Sequence, residues 1–249
     1  MGVANKRSIA WACVQSFLSH NYRVVFTYQN ERFESTAQEL MSHNKHVQAL
    51  PCNVQDEIPI LFQERIPALL GNHARLNAIV HSIAYAPDMK KEHSLLHTSR
   101  HAFQVAHDVS TYSFLEMARE SLPLLCSESS CSLTALSYLG AVKAIPHYNV
   151  MGPAKASLES VVRGLALELG RLHNIRVNAV SAGPLNTLAA RGISGISDIR
   201  QDVERRAPLK RNVTAEQVAD TISFLATRGT GITGQTIYVD GGYSIVAGP

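Results

Sequence analysis

Short runs rich in β-branched residues alternate with stretches of helical spacing along the whole chain, and this rhythm constrains the fold more than any other feature. The runs are "YRVVFTY" (22–28), "HVQALPC" (46–52), "LNAIVHSIA" (76–84), "SCSLTALS" (130–137), "IRVNAVSAGP" (175–184) and "GQTIYVDGG" (234–242). Between them, helical spacing covers 8–20, 31–42, 55–70, 100–120, 147–170 and 214–227. Strands separated by crossover helices pair in parallel and are buried on both faces. The order therefore predicts an α/β fold of Rossmann type, a doubly wound parallel sheet. No Pro-, Ser- or Gly-rich linker divides the 249 residues, so a single domain over 1–249 is expected. One stretch, "GPLNTLAARGISGISDIRQ" (183–201), is glycine-rich and weakly periodic; it follows a strand end and reads as a candidate substrate lid.

Composition narrows the partners. The formal net charge is +3, from 23 basic and 20 acidic residues that are scattered rather than clustered, so no nucleic-acid partner is expected. No apolar run reaches the length of a membrane span, and Met1 opens no signal peptide; no membrane partner is expected. The four cysteines, Cys13, Cys52, Cys126 and Cys131, form no C-x-x-C pair and no zinc spacing with histidine. They read as free thiols in a reducing compartment, with no metal, and a cytoplasmic location follows.

In doubly wound sheets, ligands collect at the carboxyl ends of the strands. "HSIAYAP", "LSYLG" and "SAGPLNT" all fall at such ends. At the start of the chain, "MGVANKRSIAWA" is a glycine turn running into a helix, a cradle for dinucleotide phosphates. The strongest chemical signal is "HYNVMGPAKAS". Tyr148 and Lys155 are seven residues apart, which on a helix puts both on one face about 10 Å apart along the axis. An ammonium near a phenol favours phenolate, so the Tyr148 pKa is expected to fall. A tyrosine so tuned donates a proton or a strong hydrogen bond to an oxygen gaining charge. Taken alone, this spacing is short, and two unrelated residues sharing a helix would be the favoured reading.

It is not alone. "GVANKRSIA", "FTYQNE", "VHSIAYAP", "AHDVSTYSF", "LSYLGAVKAIPHYNVMGPAKASLE", "RVNAVSAGP" and "TLAARGI" occur in that order. The set resembles the short-chain dehydrogenase/reductase superfamily, and within it the NADH-dependent enoyl-[acyl-carrier-protein] reductases of bacterial-type fatty-acid synthesis. The resemblance runs from Gly2 to about Ile245 and implies a dinucleotide-binding reductase domain. It matches Tyr148 to the catalytic tyrosine and Lys155 to the lysine that also holds the nicotinamide ribose. Tyr138 matches a second tyrosine of the acyl pocket, for which a packing role is equally open. Gly2, Ser8 and Ile9 match residues near the dinucleotide, and Gln29 one beside the adenosine ribose. Asn53 and Val54 match the adenine-reading stretch. Ser82, Ile83 and Ala84 match the wall beside the ribose and nicotinamide, and Thr187 a hydroxyl near the pyrophosphate. The implied substrate is an enoyl group on acyl carrier protein, the implied assembly a homotetramer through the two long helices.

The residues also depart from the family. Gln29 stands where NAD binders usually carry an acid, and Arg32 is near enough in sequence to meet a 2′-phosphate; the resemblance nevertheless favours NADH over NADPH. Asn53 replaces an aspartate, and Asn186 stands where a basic residue is common. The family's first strand precedes the glycine turn, and here the chain starts at Met1, so the sheet is expected to lack it. Unpaired buried backbone groups cost about 1–3 kcal/mol each, against a net stability of about 5–15 kcal/mol, so instability or a substitute strand is expected. If a transit segment went with that strand, an organelle becomes the alternative compartment. Two other functions stay open: a short-chain reductase acting on a ketone or alcohol, with Ser137 assisting the tyrosine, and a truncated non-catalytic remnant.

Overall fold

The computed structural model describes residues 1–42, 44–71, 75–87, 94–125, 131–187, 190 and 195–247. Helix α1 (Ile9–Ser19) is started by Ser8, whose side chain accepts a hydrogen bond from the Trp11 N–H. Strand β1 (Val24–Tyr28), helix α2 (Glu34–Ser42) and strand β2 (Val47–Pro51) follow. The next helical region has two short α segments, α3 (Ile58–Ile60) and α4 (Ile66–Leu70), joined by a π-helical turn at Leu61–Arg65. Beyond β3 (Ala78–His81), α5 (Arg100–His107) and α6 (Ser113–Ser121) are joined by a second π-helical turn, Asp108–Tyr112. Then come β4 (Ser132–Ser137), the long α7 (Met151–His173), β5 (Arg176–Ala182), α8 (Ile196–Arg206), α9 (Ala215–Thr227) and β6 (Thr236–Val239).

All strand pairs are parallel. β3, β4, β5 and β6 form one ladder in that order, with His81 opposite Ala135 and Ser137 opposite Ser181; β1 and β2 form another. Alternation along the two fully buried strands explains why helices cover both faces. Leu133, Ala135, Val177 and Ala179 pack with Phe114 and Met117 of α6 and with Leu158 and Val162 of α7. Leu136, Val180 and Ala182 point the other way, onto Cys13 and Phe17 of α1 and Val218, Ile222 and Leu225 of α9. No helix of the described residues is long and apolar enough to cross a membrane. Cys13, Cys52 and Cys131 are buried, and burial pushes the Cys13 and Cys52 thiols up to about 12, so these two stay protonated and inert. Cys126 lies outside the described residues.

Residues 1–3 occupy the line between the two ladders. The Met1 nitrogen donates to Val80 O at 2.5 Å and the Ser82 N–H to Met1 O at 3.2 Å, a parallel bridge to β3. On the other side, the Gly2 and Val3 N–H groups donate to Thr27 O of β1 at 3.2 and 2.8 Å. Behind this bridge a slot of about 500 Å³ runs between β1 and β3, lined by Val24, Phe26, Ala78, Val80, Cys13 and Phe17. The two ladders thus meet along residues 1–3.

Two expected boundaries are corrected. α7 begins at Met151 rather than near 147, because His147 (φ 60°) and Asn149 (φ 23°) take left-handed conformations on either side of Tyr148. Tyr148 therefore sits in the turn ahead of the helix, not on its face. Part of the candidate lid is helical: α8 takes up Ile196–Arg206. Its sole buried residue, Val203, leaves little apolar periodicity to read, and its helix is supported instead by Asp202 pairing with Arg205 and Arg206 one turn on. Residues 188–189 and 191–194 of the lid lie outside the described residues.

His81, at the end of β3, is fully buried, its Nε2 2.8 Å from Ser113 Oγ and its ring edge-on to Phe114. Burial, and next the Lys155 charge, hold it well below the ordinary histidine value, so it stays neutral in the fold. The unfolded chain gains a proton here as pH falls through about 6.5 and the folded chain does not, so stability drops on the acid side. His81→Phe removes this dependence. Urea unfolding at pH 7 and pH 5 is expected to show the wild-type loss reduced by about 2 kcal/mol in the variant.

Candidate active site

The site lies along the carboxyl ends of the strands. At the end of β4, Tyr138 is extended (φ −148°, ψ 154°), and a short 3-10 turn, Leu139–Ala141, carries the chain toward Tyr148. The rings of Tyr138 and Tyr148 meet edge to face, centroids 4.8 Å apart. Gly140 makes this packing possible. A Cβ there would lie 2.3 and 2.6 Å from Tyr148 Cδ1 and Cε1 and 3.3 Å from the Tyr138 ring. Tyr148 is buried, 7% exposed, and burial pushes its phenol up, with Tyr138 adding to the effect. The expected fall toward phenolate is thus reversed by desolvation of the charged form. A protonated phenol remains a hydrogen-bond donor at neutral pH.

Lys155, in the second turn of α7, is 4% exposed and donates from Nζ to Leu136 O of β4 at 2.7 Å. Burial lowers it to about 8, against a counteracting pull from Glu159. The π-helical turn between α5 and α6 braces the surroundings. Ser110 Oγ bonds the Tyr85 N–H (3.1 Å) and carbonyl (3.2 Å) in the loop after β3, and Thr111 donates to Ala154 O of α7 (2.8 Å). Gly195, ahead of α8, lies beside His147, since a Cβ there would be 3.5 Å from its ring. Tyr243 anchors the same helix through Asp202 at 2.6 Å. The described part of the lid thus borders the tyrosine turn.

The expected cofactor residues fall on the same edge. Gly2 (φ 92°) has backbone geometry suited to glycine, and a Cβ there would meet Ser82 O at 2.5 Å and Ile83 Cγ1 at 2.8 Å. Gly2, Ser82 and Ile83 are therefore brought together, with Ala84 exposed just beyond. This close-packed glycine, followed by the start of α1 at Ile9, fits a dinucleotide pyrophosphate. The Ser8 hydroxyl is engaged in the cap and donates to Asn5 O at 2.8 Å. Gln29 is exposed at the end of β1. Asn53 and buried Val54 follow β2, and the Asn53 N–H donates to Glu57 Oε2 at 2.5 Å. Thr187 lies beyond β5, its Oγ1 accepting from the Ala190 N–H at 3.2 Å. No group of three or more His, Cys, Asp or Glu among the described residues could hold a metal ion. Reading the sequence missed Gly140 and Glu159. Gly140 stands in the quoted "LSYLG" without a role, and a carboxylate four residues after a lysine in "KASLE" was the available signal for Glu159.

A doubly wound sheet, a glycine turn ahead of α1 and a tyrosine–lysine set at the mouth of β4 define the class as a short-chain dehydrogenase/reductase. The family model described as "Enoyl-(Acyl carrier protein) reductase" matches residues 2–244. Over 251 residues the chain is 41% identical to the enoyl-[acyl-carrier-protein] reductase [NADH] FabI of Bacillus subtilis, covering 99% of this chain and 95% of that protein. It is 39% identical over 251 residues to the enoyl-[acyl-carrier-protein] reductase [NADPH] FabI of Staphylococcus aureus, with the same coverages. The crystal structure of the enoyl-[acyl-carrier-protein] reductase (NADH) from Aquifex aeolicus matches with a TM-score of 0.91 at 40% identity, over 98% of this chain and 94% of that one. The chain belongs to the enoyl-(acyl carrier protein) reductase family.

Proposed function

We propose that the protein reduces trans-2-enoyl thioesters on acyl carrier protein to acyl thioesters in cytoplasmic fatty-acid synthesis, with NADH as reductant. The observation that carries this reading is the buried Tyr148 set edge to face against Tyr138 where β4 ends, with Lys155 clamped to the same strand end. Gly2, the start of α1 at Ser8 and Ile9, Gln29, Asn53, Val54, Ser82, Ile83, Ala84, Lys155 and Thr187 would hold the dinucleotide. When bound, the reduced nicotinamide supplies the hydride taken up at the β-carbon of the double bond. The protein's part is to meet the negative charge that moves to the thioester oxygen, until a proton from solvent reaches the α-carbon and completes the reduction. Tyr148 donates its hydrogen bond to that oxygen in a dry pocket, an effect worth a few kcal/mol per donor. Lys155 contributes a fixed positive charge, and Tyr138 supplies the wall against which the tyrosine ring is set. The test is spectrophotometric NADH loss with crotonyl-acyl carrier protein. Turnover is expected with the enoyl thioester and not with acetoacetyl thioester; the reverse pattern supports a ketone reductase and overturns the reading.

The preference for NADH rests on the likeness to NADH-dependent relatives, and Gln29 and Arg32 weigh against it. An uncharged Gln29 neither fixes a ribose diol as an acid does nor repels a 2′-phosphate, and Arg32 is exposed one short turn later. NADH is expected to be preferred by about tenfold in kcat/KM, with Arg32→Ala lowering NADPH use further and leaving NADH nearly unchanged. Preference for NADPH contradicts the assignment.

The reading extends to assembly. A groove between α5, α6 and α7 is lined by Phe103, His107, Tyr112, Leu115 and Val161, with Phe103 and Tyr112 each 44% exposed. Its proposed occupant is the same face of further copies, giving a homotetramer. Light scattering at the mass of one chain overturns this.

A further inference from the structure

Glu159 is a buried carboxylate that the reaction as described does not use. It lies one helical turn after Lys155 on α7 and is 6% exposed. A burial this deep requires partners. One is Ser137, the last residue of β4, whose hydroxyl donates to Glu159 Oε1 at 2.5 Å. Leu136, the residue before Ser137, supplies the carbonyl that receives Lys155 Nζ. The lysine and the carboxylate thus grip adjacent residues of one strand end from adjacent turns of one helix. This is an i, i+4 pair of opposite charge, oriented by β4 and shielded from water.

We propose that Glu159 is a positioning residue of this site: its carboxylate, anchored by the Ser137 hydroxyl, keeps the Lys155 ammonium charged and directed across the end of β4. The proposal rests on the reading that Lys155 serves the reduction. Glu159 itself touches neither substrate nor cofactor in this scheme. Of the groups facing the pair from packed elements, His81 of β3 is held neutral and feels the lysine charge, while Tyr238 of β6, with Asp240 beyond it, is held protonated by burial and by the Glu159 charge. His81 is neutral and Tyr238 protonated, so neither supplies the counter-charge. The Glu159 carboxylate is the charge that offsets the burial of Lys155.

The test follows the Lys155 titration by NMR of ¹³C-labelled lysine, assigned with Lys155→Arg, beside the pH profile of kcat/KM for crotonyl-acyl carrier protein. Glu159→Gln keeps shape and hydrogen bonding but removes the charge. The Lys155 titration and the basic limb of kcat/KM are expected to move down together by about one pH unit. The rate then falls about fivefold at pH 8 and changes little at pH 6.5. Glu159→Asp restores most of the limb. Ser137→Ala frees the carboxylate without deleting it and moves the limb the same way by a smaller amount, and it decides the matter if Glu159→Gln does not fold. An unmoved Lys155 titration in a folded Glu159→Gln protein, or in Ser137→Ala when that variant stands alone, overturns the proposal. The NMR readout needs no turnover, so a wild type inactive on enoyl thioesters sinks the functional reading and leaves this inference separately decided.

Discussion

Tyr148→Phe is expected to lower enoyl-thioester turnover by about 10²-fold or more while leaving the fold intact. The substitution removes one oxygen and keeps the ring that packs on Tyr138 and over Gly140. Its effect is therefore confined to the hydrogen bond offered to the acyl oxygen. Burial keeps that phenol protonated, so the wild-type rate should show no limb from tyrosine ionisation in the neutral range. Lys155, lowered to about 8, supplies the basic limb instead: the ammonium is present below that value and is lost as pH rises through it. Steady-state kinetics with circular dichroism of both proteins checks this. A folded Tyr148→Phe protein retaining turnover within about threefold of wild type removes Tyr148 from the chemistry.

Gly140→Ala should cost nearly as much without touching a functional group. The new methyl would fall 2.3 Å from the Tyr148 ring, inside any real contact, and that ring is buried between Gly140 and Tyr138. The tyrosine must swing away, and a displacement of about 1 Å in a reacting group lowers rates by about 10²-fold. The loss should appear in kcat, with cofactor affinity nearly intact because Gly2 and the start of α1 lie elsewhere on the edge. Equal losses in nucleotide binding and turnover point to general unfolding and count against the argument.

The frame of this protein was legible because buried parallel strands write themselves as apolar runs. All six were found where the sequence put them, and β4 and β5, buried at every position, gave the clearest signals. α8 was not legible as a helix, because a surface helix held by Asp202 and two arginines carries almost no apolar stripe. Spacing suggested a helix face for Tyr148 and Lys155, but two left-handed residues around Tyr148 unwind that turn, and no periodicity reports a positive φ at His147. The sense of the Tyr148 shift was missed for a related reason. A lysine seven residues on is visible in sequence, whereas the burial that raises the phenol comes from packing around the ring, Tyr138 and Gly140 included. Glu159 was hidden because a carboxylate on a long helix ordinarily faces water.

Met1, Gly2 and Val3 bond to β3 on one side and β1 on the other, and Gly2 is also the residue whose bare backbone fits against Ser82 and Ile83. The seam of the sheet and the proposed cradle for the pyrophosphate are therefore one piece of main chain. A nucleotide lodged there braces both halves at once, and any loosening along the seam is felt first as weaker nucleotide affinity. Amide exchange in β1 and β3 should accordingly slow as nucleotide is added, ahead of strands farther from the seam such as β6.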